Sequence, residues 1–399
     1  MTDIFQRTKA LFEIPEGVIY LDGNSLGPLT TSVRTRLASE IKDNWGNQLI
    51  RAWNTAGWID LPNRVGDRIG RLVGAPAGSV IAADSTSVNL FKVLTAALSL
   101  AVDGRRTILS DRGNFPSDLY IADGVIRTVD KGHSLKVVAP EEVEAAIDDS
   151  VAVLMLTEVD YATGRLHDMK ALTAKAKAAG VVTIWDLAHS AGAIPVDLTG
   201  AGADFAIGCG YKYLNGGPGA PAFIYVRPDL QDKVQPAISG WLGHEAPFLF
   251  DLDYRPGASI ERMRAGTPPM LSMLALEAGL DAWDGVDMQA VRERSIALCD
   301  LFVEEVEARC PDLVLASPRD GLRRGSQVSF RHGEGYAVMQ ALIANNVIGD
   351  FRAPDIIRFG FTPLYIGFEE VKAAAAVLER VIKEELWNRP EFLKKSKVT

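Results

Sequence analysis

One lysine, Lys212, stands between Tyr211 and Tyr213 at the mouth of a glycine-rich segment, GYKYLNGGPG (Gly210 to Gly219), directly after a run with strand character. Upstream, Asp186 ends a second such run within WDLAHSAG (Trp185 to Gly192), and His189 follows three residues later. By residue type alone, Lys212 reads as a solvated loop lysine and Asp186 as a helix cap. Together they read differently. Ligand sites in open α/β sheets lie beyond the carboxyl ends of strands, where both segments project. A lysine able to form a Schiff base and a carboxylate able to keep a pyridine nitrogen protonated are the pair that pyridoxal phosphate requires. The carboxylate keeps the ring cationic, so that it withdraws electrons from a carbanion. The lysine, freed by substrate, then serves as the proton-transfer base.

Positioning these groups requires a frame, and the hydrophobic pattern supplies one. Short apolar runs at Val80 to Ala83, Arg106 to Ser110, Val151 to Glu158, Val181 to Asp186, Asp204 to Gly208 and Ala220 to Val226 read as strands. Several are rich in Val, Ile or Leu without strict alternation, which predicts an α/β fold: a mostly parallel sheet with helices on both faces. Helical stretches are expected at Thr86 to Ala101, Pro140 to Ile147 and Met169 to Ala179, the last ending at Gly180. After about Asp281 the texture changes. A long helical pattern from Asp287 to Ala308 precedes short strand-like pieces (Leu313 to Ala316, Gln327 to Phe330, Ile356 to Phe359) and a last helix, Glu369 to Leu386. This predicts a smaller α+β domain. The expected division is residues 1–30 as an N-terminal segment of the small domain, 31–281 as a large cofactor-binding domain, and 282–399 as the small C-terminal domain.

Composition narrows the possibilities. The 399 residues are 47% hydrophobic and 23% charged, ordinary globular values that exclude disordered, collagenous and disulfide-scaffold classes. A net charge of -9 without a Lys/Arg cluster makes nucleic acid an unexpected partner. The longest apolar stretch, Val93 to Val102, is far too short to span a bilayer, so no membrane association is expected. The N-terminal MTDIFQRTKALFEI lacks a secretory pattern, and three cysteines (Cys209, Cys299, Cys310) form no CxxC pair. Those features predict a cytoplasmic protein with no metal site. The basic tail Lys394 to Lys397 reads as a solvated terminus.

Motifs along almost the whole chain resemble the kynureninases, within the aspartate-aminotransferase fold group of pyridoxal-phosphate enzymes. They are YLDGNSLG (Tyr20 to Gly27), WNTAGWI (Trp53 to Ile59), DSTSVNLFK (Asp84 to Lys92), NFPSDLY (Asn114 to Tyr120), WDLAHSAG, GYKYLNGGPG, GWLGH (Gly240 to His244) and GTPPML (Gly266 to Leu271). The resemblance implies that Lys212 is the Schiff-base lysine and Asp186 the partner of the ring nitrogen. Thr86 and Ser87, opening a helix, hold the cofactor phosphate. Phe115 stacks on the ring and Asp118 adds a second carboxylate, while Thr157 and His189 surround the ring. Tyr211 binds the phosphate and relays a proton. Trp241 and Thr267 match positions that reach the cofactor from the partner subunit of a homodimer.

For the substrate, the resemblance makes Arg358 the clamp of an α-carboxylate, with Ser25, Trp53 and Thr267 lining the aryl end. Trp53 stands where some relatives carry histidine, which favours an unhydroxylated ring. The reaction implied is hydrolysis of L-kynurenine to anthranilate and L-alanine, in tryptophan degradation. Two alternatives remain at this point: another lyase of the same fold, such as a cysteine desulfurase, or a non-catalytic cofactor-binding regulator. A desulfurase needs a thiol on a mobile loop, whereas Cys299 and Cys310 fall on or beside a predicted helix. A regulator would usually add a DNA-binding module, for which the sequence offers no basic recognition helix.

Overall fold

Seven strands make the central sheet: β1 (Val80–Ala83), β2 (Thr107–Asp111), β3 (Ser134–Val138), β4 (Val151–Thr157), β5 (Val182–Asp186), β6 (Phe205–Cys209) and β7 (Ala222–Val226). This is a computed structural model describing residues 4–395; Met1 to Asp3 and the end of the basic tail, from Ser396, lie outside the described residues. The spatial order is β1-β7-β6-β5-β4-β2-β3, and β7 alone runs antiparallel to its neighbours. The expected mostly parallel sheet is present.

Every residue of β4 is buried, because both faces of the sheet are covered. Successive side chains enter opposite layers: Val153 and Met155 join one apolar cluster, Leu154 and Leu156 the other. Helices α1 (Thr86–Leu100) and α2 (Pro116–Val129) fill the first layer with Leu90, Val93, Leu94, Ala122 and Val125. Helix α3 (Met169–Ala178) covers the second, where the Trp185 indole N–H donates to Thr173 Oγ1 at 3.0 Å. The expected helix at Pro140 to Ile147 is instead a 3-10 turn, Pro140–Glu142, followed by a single turn, Val143–Ala146. Strand β3 and helix α2 were not predicted. β3 (SLKVV) is an edge strand without a fully buried residue, so its apolar signal is weak.

A second sheet, antiparallel throughout, holds β8 (Val314–Leu315), β9 (Gln327–Arg331), β10 (Asp350–Arg352) and β11 (Ile356–Gly360) in the order β10-β11-β9-β8. Helices α4 (Met288–Arg309) and α5 (Phe368–Lys383) match the expected long helical patterns. Phe302 of α4 meets the rings of Phe330 and Phe359 with centroids 6.2 and 4.9 Å away, tying the helix to the sheet. Near the N-terminus, Ile19–Tyr20 pairs in parallel with Val347–Ile348, so the early chain runs beside the late one. Among the described residues no helix is long and apolar enough to cross a membrane.

Candidate functional site

The carboxyl ends of β1, β2, β4, β5 and β6 open into one cavity of about 370 Å³. Nine of the expected residues line it: Thr86, Ser87, Phe115, Asp118, Thr157, Asp186, His189, Tyr211 and Lys212. The parallel register explains part of this convergence, since Thr157 and Asp186 are partners at the ends of β4 and β5. The lysine loop is fixed from the far end of the sequence. Gly27 N–H donates to Tyr211 O at 2.8 Å, and a Cβ at Gly27 would lie 2.4 Å from Lys212 O. Only glycine permits that approach, which links YLDGNSLG to GYKYLNGGPG. Tyr213 turns away, and its hydroxyl donates to Ser326 O at 3.4 Å.

At the mouth of α1, Ser85 is the cap: its Oγ accepts from Val88 N–H at 3.4 Å. Thr86 and Ser87 therefore take the first two helical positions, whose N–H groups have no acceptor inside the helix. They line the cavity at the positive end of a 15-residue helix, a setting that favours a phosphate dianion. Ser85 was not among the expected site residues, because DSTS offers several adjacent hydroxyls and only backbone geometry selects the cap.

The ionisable groups are strongly perturbed by burial. Lys212 Nζ lies 2.9 Å from His189 Nε2. Burial holds the Lys212 ammonium below the usual lysine range and His189 well below the usual imidazole range. Both are thereby biased toward their neutral forms. Burial raises Asp118 well above the carboxylate range, reinforced by the charge of Asp186 and a hydrogen bond between the two. Asp186 is raised as well, chiefly by burial, although one of its oxygens accepts from Ala188 N–H at 2.8 Å. Two carboxyls so placed resist double ionisation unless a cation joins them.

Asp118 Oδ2 and His189 Nδ1 are buried without hydrogen-bond partners. Asn114 Oδ1 accepts from Thr157 Oγ1 at 2.5 Å and from Phe115 N–H at 2.8 Å, which sets the start of α2. The Phe115 ring meets Tyr161 edge-on at 5.1 Å and stays 39% exposed. An amine, an aromatic face, unpaired helix amides and a carboxyl pair lacking a cation fit a phosphorylated pyridine aldehyde. These residues suit pyridoxal phosphate.

A second cluster gathers Ser25 and Arg358. Arg358 on β11 lies opposite Asp350 on β10 in the antiparallel register. Its Nε donates to Asp350 Oδ1 at 2.7 Å and its Nη2 to Ser25 Oγ at 2.8 Å and to Asp350 Oδ2. Arg352, two residues along β10, donates to Asp350 Oδ2 at 2.5 Å. The charges of both arginines act to lower Lys212 and His189, so the cluster faces the same cavity. Asp350 and Arg352 escaped sequence reasoning because no local motif marks them. Strand pairing alone places them.

Trp53, Trp241 and Thr267 converge on a different cavity of about 290 Å³ with Phe248, and it shares no lining residue with the first. Trp241 meets Phe248 edge-on at 5.6 Å and is 45% exposed. Within one chain these three residues are not brought to Lys212. All three cysteines are buried, and Cys209 is the one that lines the lysine cavity.

Residues 291–378 match the kynureninase C-terminal domain family. A kynureninase of Pseudomonas fluorescens is 51% identical over 97% of this chain and 95% of its own length, and one of Burkholderia pseudomallei is 50% identical over the same shares. Among solved structures, the apo cysteine desulfurase of Thermococcus onnurineus NA1 superposes with a TM-score of 0.80 at 19% identity, covering 96% of this chain and 99% of that one. The cystine C-S lyase C-DES, with glycine covalently linked to its PLP cofactor, gives a TM-score of 0.75 at 16% identity over 91% of this chain and 97% of that one. At such low identity those two likenesses describe the fold only. With half of its residues shared over nearly its full length, and the lysine cavity assembled as described, the chain belongs to the kynureninase family.

Proposed function

We propose that Lys212, Asp186 and Tyr211 are the catalytic groups of a kynureninase that converts L-kynurenine and water to anthranilate and L-alanine, in active sites completed across a homodimer. Thr86 and Ser87 would hold the cofactor phosphate, Asp186 with Asp118 the ring nitrogen, and Phe115 the ring face. Thr157 and His189 would flank the ring, with Trp241 and Thr267 reaching in from the other subunit. When bound, pyridoxal phosphate supplies an aldehyde for amine exchange and a ring that withdraws electrons from Cα and then Cβ of the substrate.

Lys212, biased to its neutral form by burial, takes the Cα proton and returns it. Burial raises the Tyr211 phenol and keeps it protonated, which suits it to deliver a proton as water adds to the γ-carbonyl and the Cβ–Cγ bond breaks. Arg358 orients the α-carboxylate, and a planar guanidinium does this better than an ammonium. Ser25, Trp53 and Thr267 receive the aryl end, where the bulk of Trp53 favours the unhydroxylated ring over 3-hydroxykynurenine.

The separation of the Trp53–Trp241–Thr267 cavity from the Lys212 cavity supports the two-chain reading, since a second subunit is needed to bring aryl and amine sites together. Burial of all three cysteines suits a cytoplasmic enzyme. Pairing of Ile19–Tyr20 with Val347–Ile348 supports assigning residues 1–30 to the small domain, beside 31–281 and 282–399 as the other divisions. The observation carrying the functional reading is the single cavity that collects nine expected residues around Lys212. Incubation with L-kynurenine should give anthranilate fluorescence and equimolar alanine, both absent for Lys212→Ala. Turnover without anthranilate, or full activity in that variant, would overturn the reading.

A further inference from the structure

We propose that Arg352 is a second carboxylate-recognition residue: its free donors receive the substrate's α-carboxylate while Asp350 holds Arg358 beside it as a fixed anchor. This rests on the reading of the Arg358 cluster as the α-carboxylate site.

The donor count of the two arginines carries the inference. Arg358 has a side chain only 1% exposed, and four of its five N–H groups are engaged. Nε meets Asp350 Oδ1, Nη2 meets Asp350 Oδ2 and Ser25 Oγ, and Nη1 meets Tyr161 O. Bidentate capture of an incoming carboxylate would require Arg358 to leave Asp350, stranding a buried anion. Arg352 is differently placed. Its side chain is 33% exposed, its hydrogen bonds run from Nη2 to Asp350 Oδ2 and Ser25 Oγ, and its Nε is buried with no partner. Asp350 and Arg352, being i and i+2 on β10, share one face of the strand. Two guanidinium charges against the Asp350 carboxylate leave one positive charge over, which one substrate carboxylate matches. The influence of Arg352 on Lys212, His189 and Tyr211 places that charge beside the reacting amine.

The alternative role for Arg352 is a structural counter-ion for Asp350, and the two roles separate experimentally. Holoenzyme carrying Arg352→Met or Arg352→Lys is titrated, following cofactor absorbance, with L-kynurenine and with kynuramine, the same molecule lacking the α-carboxylate. Arg352→Met should weaken L-kynurenine by about ten- to a hundredfold, as for loss of a charged hydrogen bond, and leave kynuramine within about twofold. Arg352→Lys should recover part of the loss, and KM should move more than kcat. Equal weakening of both ligands, or of neither, overturns the proposal. If Arg352→Met does not fold, Arg352→Lys decides alone: loss confined to L-kynurenine supports the role, and equal effects overturn it. A wild-type enzyme binding the two ligands equally would instead show that the cluster is no carboxylate site, sinking the underlying reading together with this one.

Discussion

Replacing Asp186 by Asn tests the heart of the site, the carboxylate assigned to the ring nitrogen. The side chain is 5% exposed as a residue, and one oxygen is already held by Ala188 N–H at 2.8 Å. Asn preserves size and the acceptor toward Ala188 but removes the charge. The substitution eliminates a charge-assisted hydrogen bond in a water-excluded pocket, about 1.5 to 3 kcal/mol. At 1.36 kcal/mol per decade, that corresponds to Cα–H exchange slowed by roughly ten- to 150-fold. Asp118 limits the damage. Its carboxyl is raised partly by the Asp186 charge, so removing that charge lets Asp118 ionise more readily and take over part of the role. The double variant Asp118→Asn/Asp186→Asn should therefore fall below either single one. The assay is NMR-detected exchange of the L-alanine Cα proton in deuterated buffer, which isolates this step from C–C cleavage. Thermal melting controls for folding. Exchange by Asp186→Asn within twofold of wild type, with Asp118→Asn equally silent, would refute the pairing.

Three further tests probe the surroundings. Burial raises Glu158 from 4.5 to about 7, so the native state keeps a proton that the unfolded chain releases between those values. Stability then falls as pH rises through that window and levels off above it; Glu158→Gln, lacking the effect, should gain about 3 kcal/mol on wild type between pH 4.5 and 8. Melting curves at both ends check this, and an unchanged difference would count against it. Asp22, raised to about 7 by burial and then by Asp350, adds a negative charge beside Arg352 and Arg358 when it ionises. KM for L-kynurenine should rise from pH 6 to 8, and Asp22→Asn should flatten that rise; an identical profile in the variant would exclude Asp22. Mixing Lys212→Ala with Trp241→Ala subunits should restore up to about a quarter of wild-type sites through hybrid dimers. Activity no greater than the sum of the separate variants would place Trp241 and Lys212 in the same chain's site.

The fold class and the lysine cavity were readable because their signals are local. A strand that ends in Asp186, a helix that opens with Thr86 and Ser87, and a loop that presents Lys212 are each written in a few adjacent residues. Parallel pairing then delivers their ends to one side of the sheet. The roles within that cavity were drawn from family resemblance, since neither spacing nor composition distinguishes a stacking Phe115 from a core aromatic. The weakly patterned β3 and the α2 helix behind Phe115 left too faint a periodic signal to predict.

By itself, then, the sequence determined the alternation of strands and helices, the amine–carboxylate pair and the chemistry that such a pair serves. Tertiary structure decided what depends on contacts between distant residues. Gly27 against Lys212, Asp350 opposite Arg358, and Trp53 with Trp241 and Thr267 in a cavity apart from the lysine are all of this kind. The physical reason is that register and packing are collective. A residue's partner across a sheet is set by the hydrophobic pattern and turns of the whole element, so an ion pair such as Asp350–Arg358 has no signature in the residues adjacent to either member.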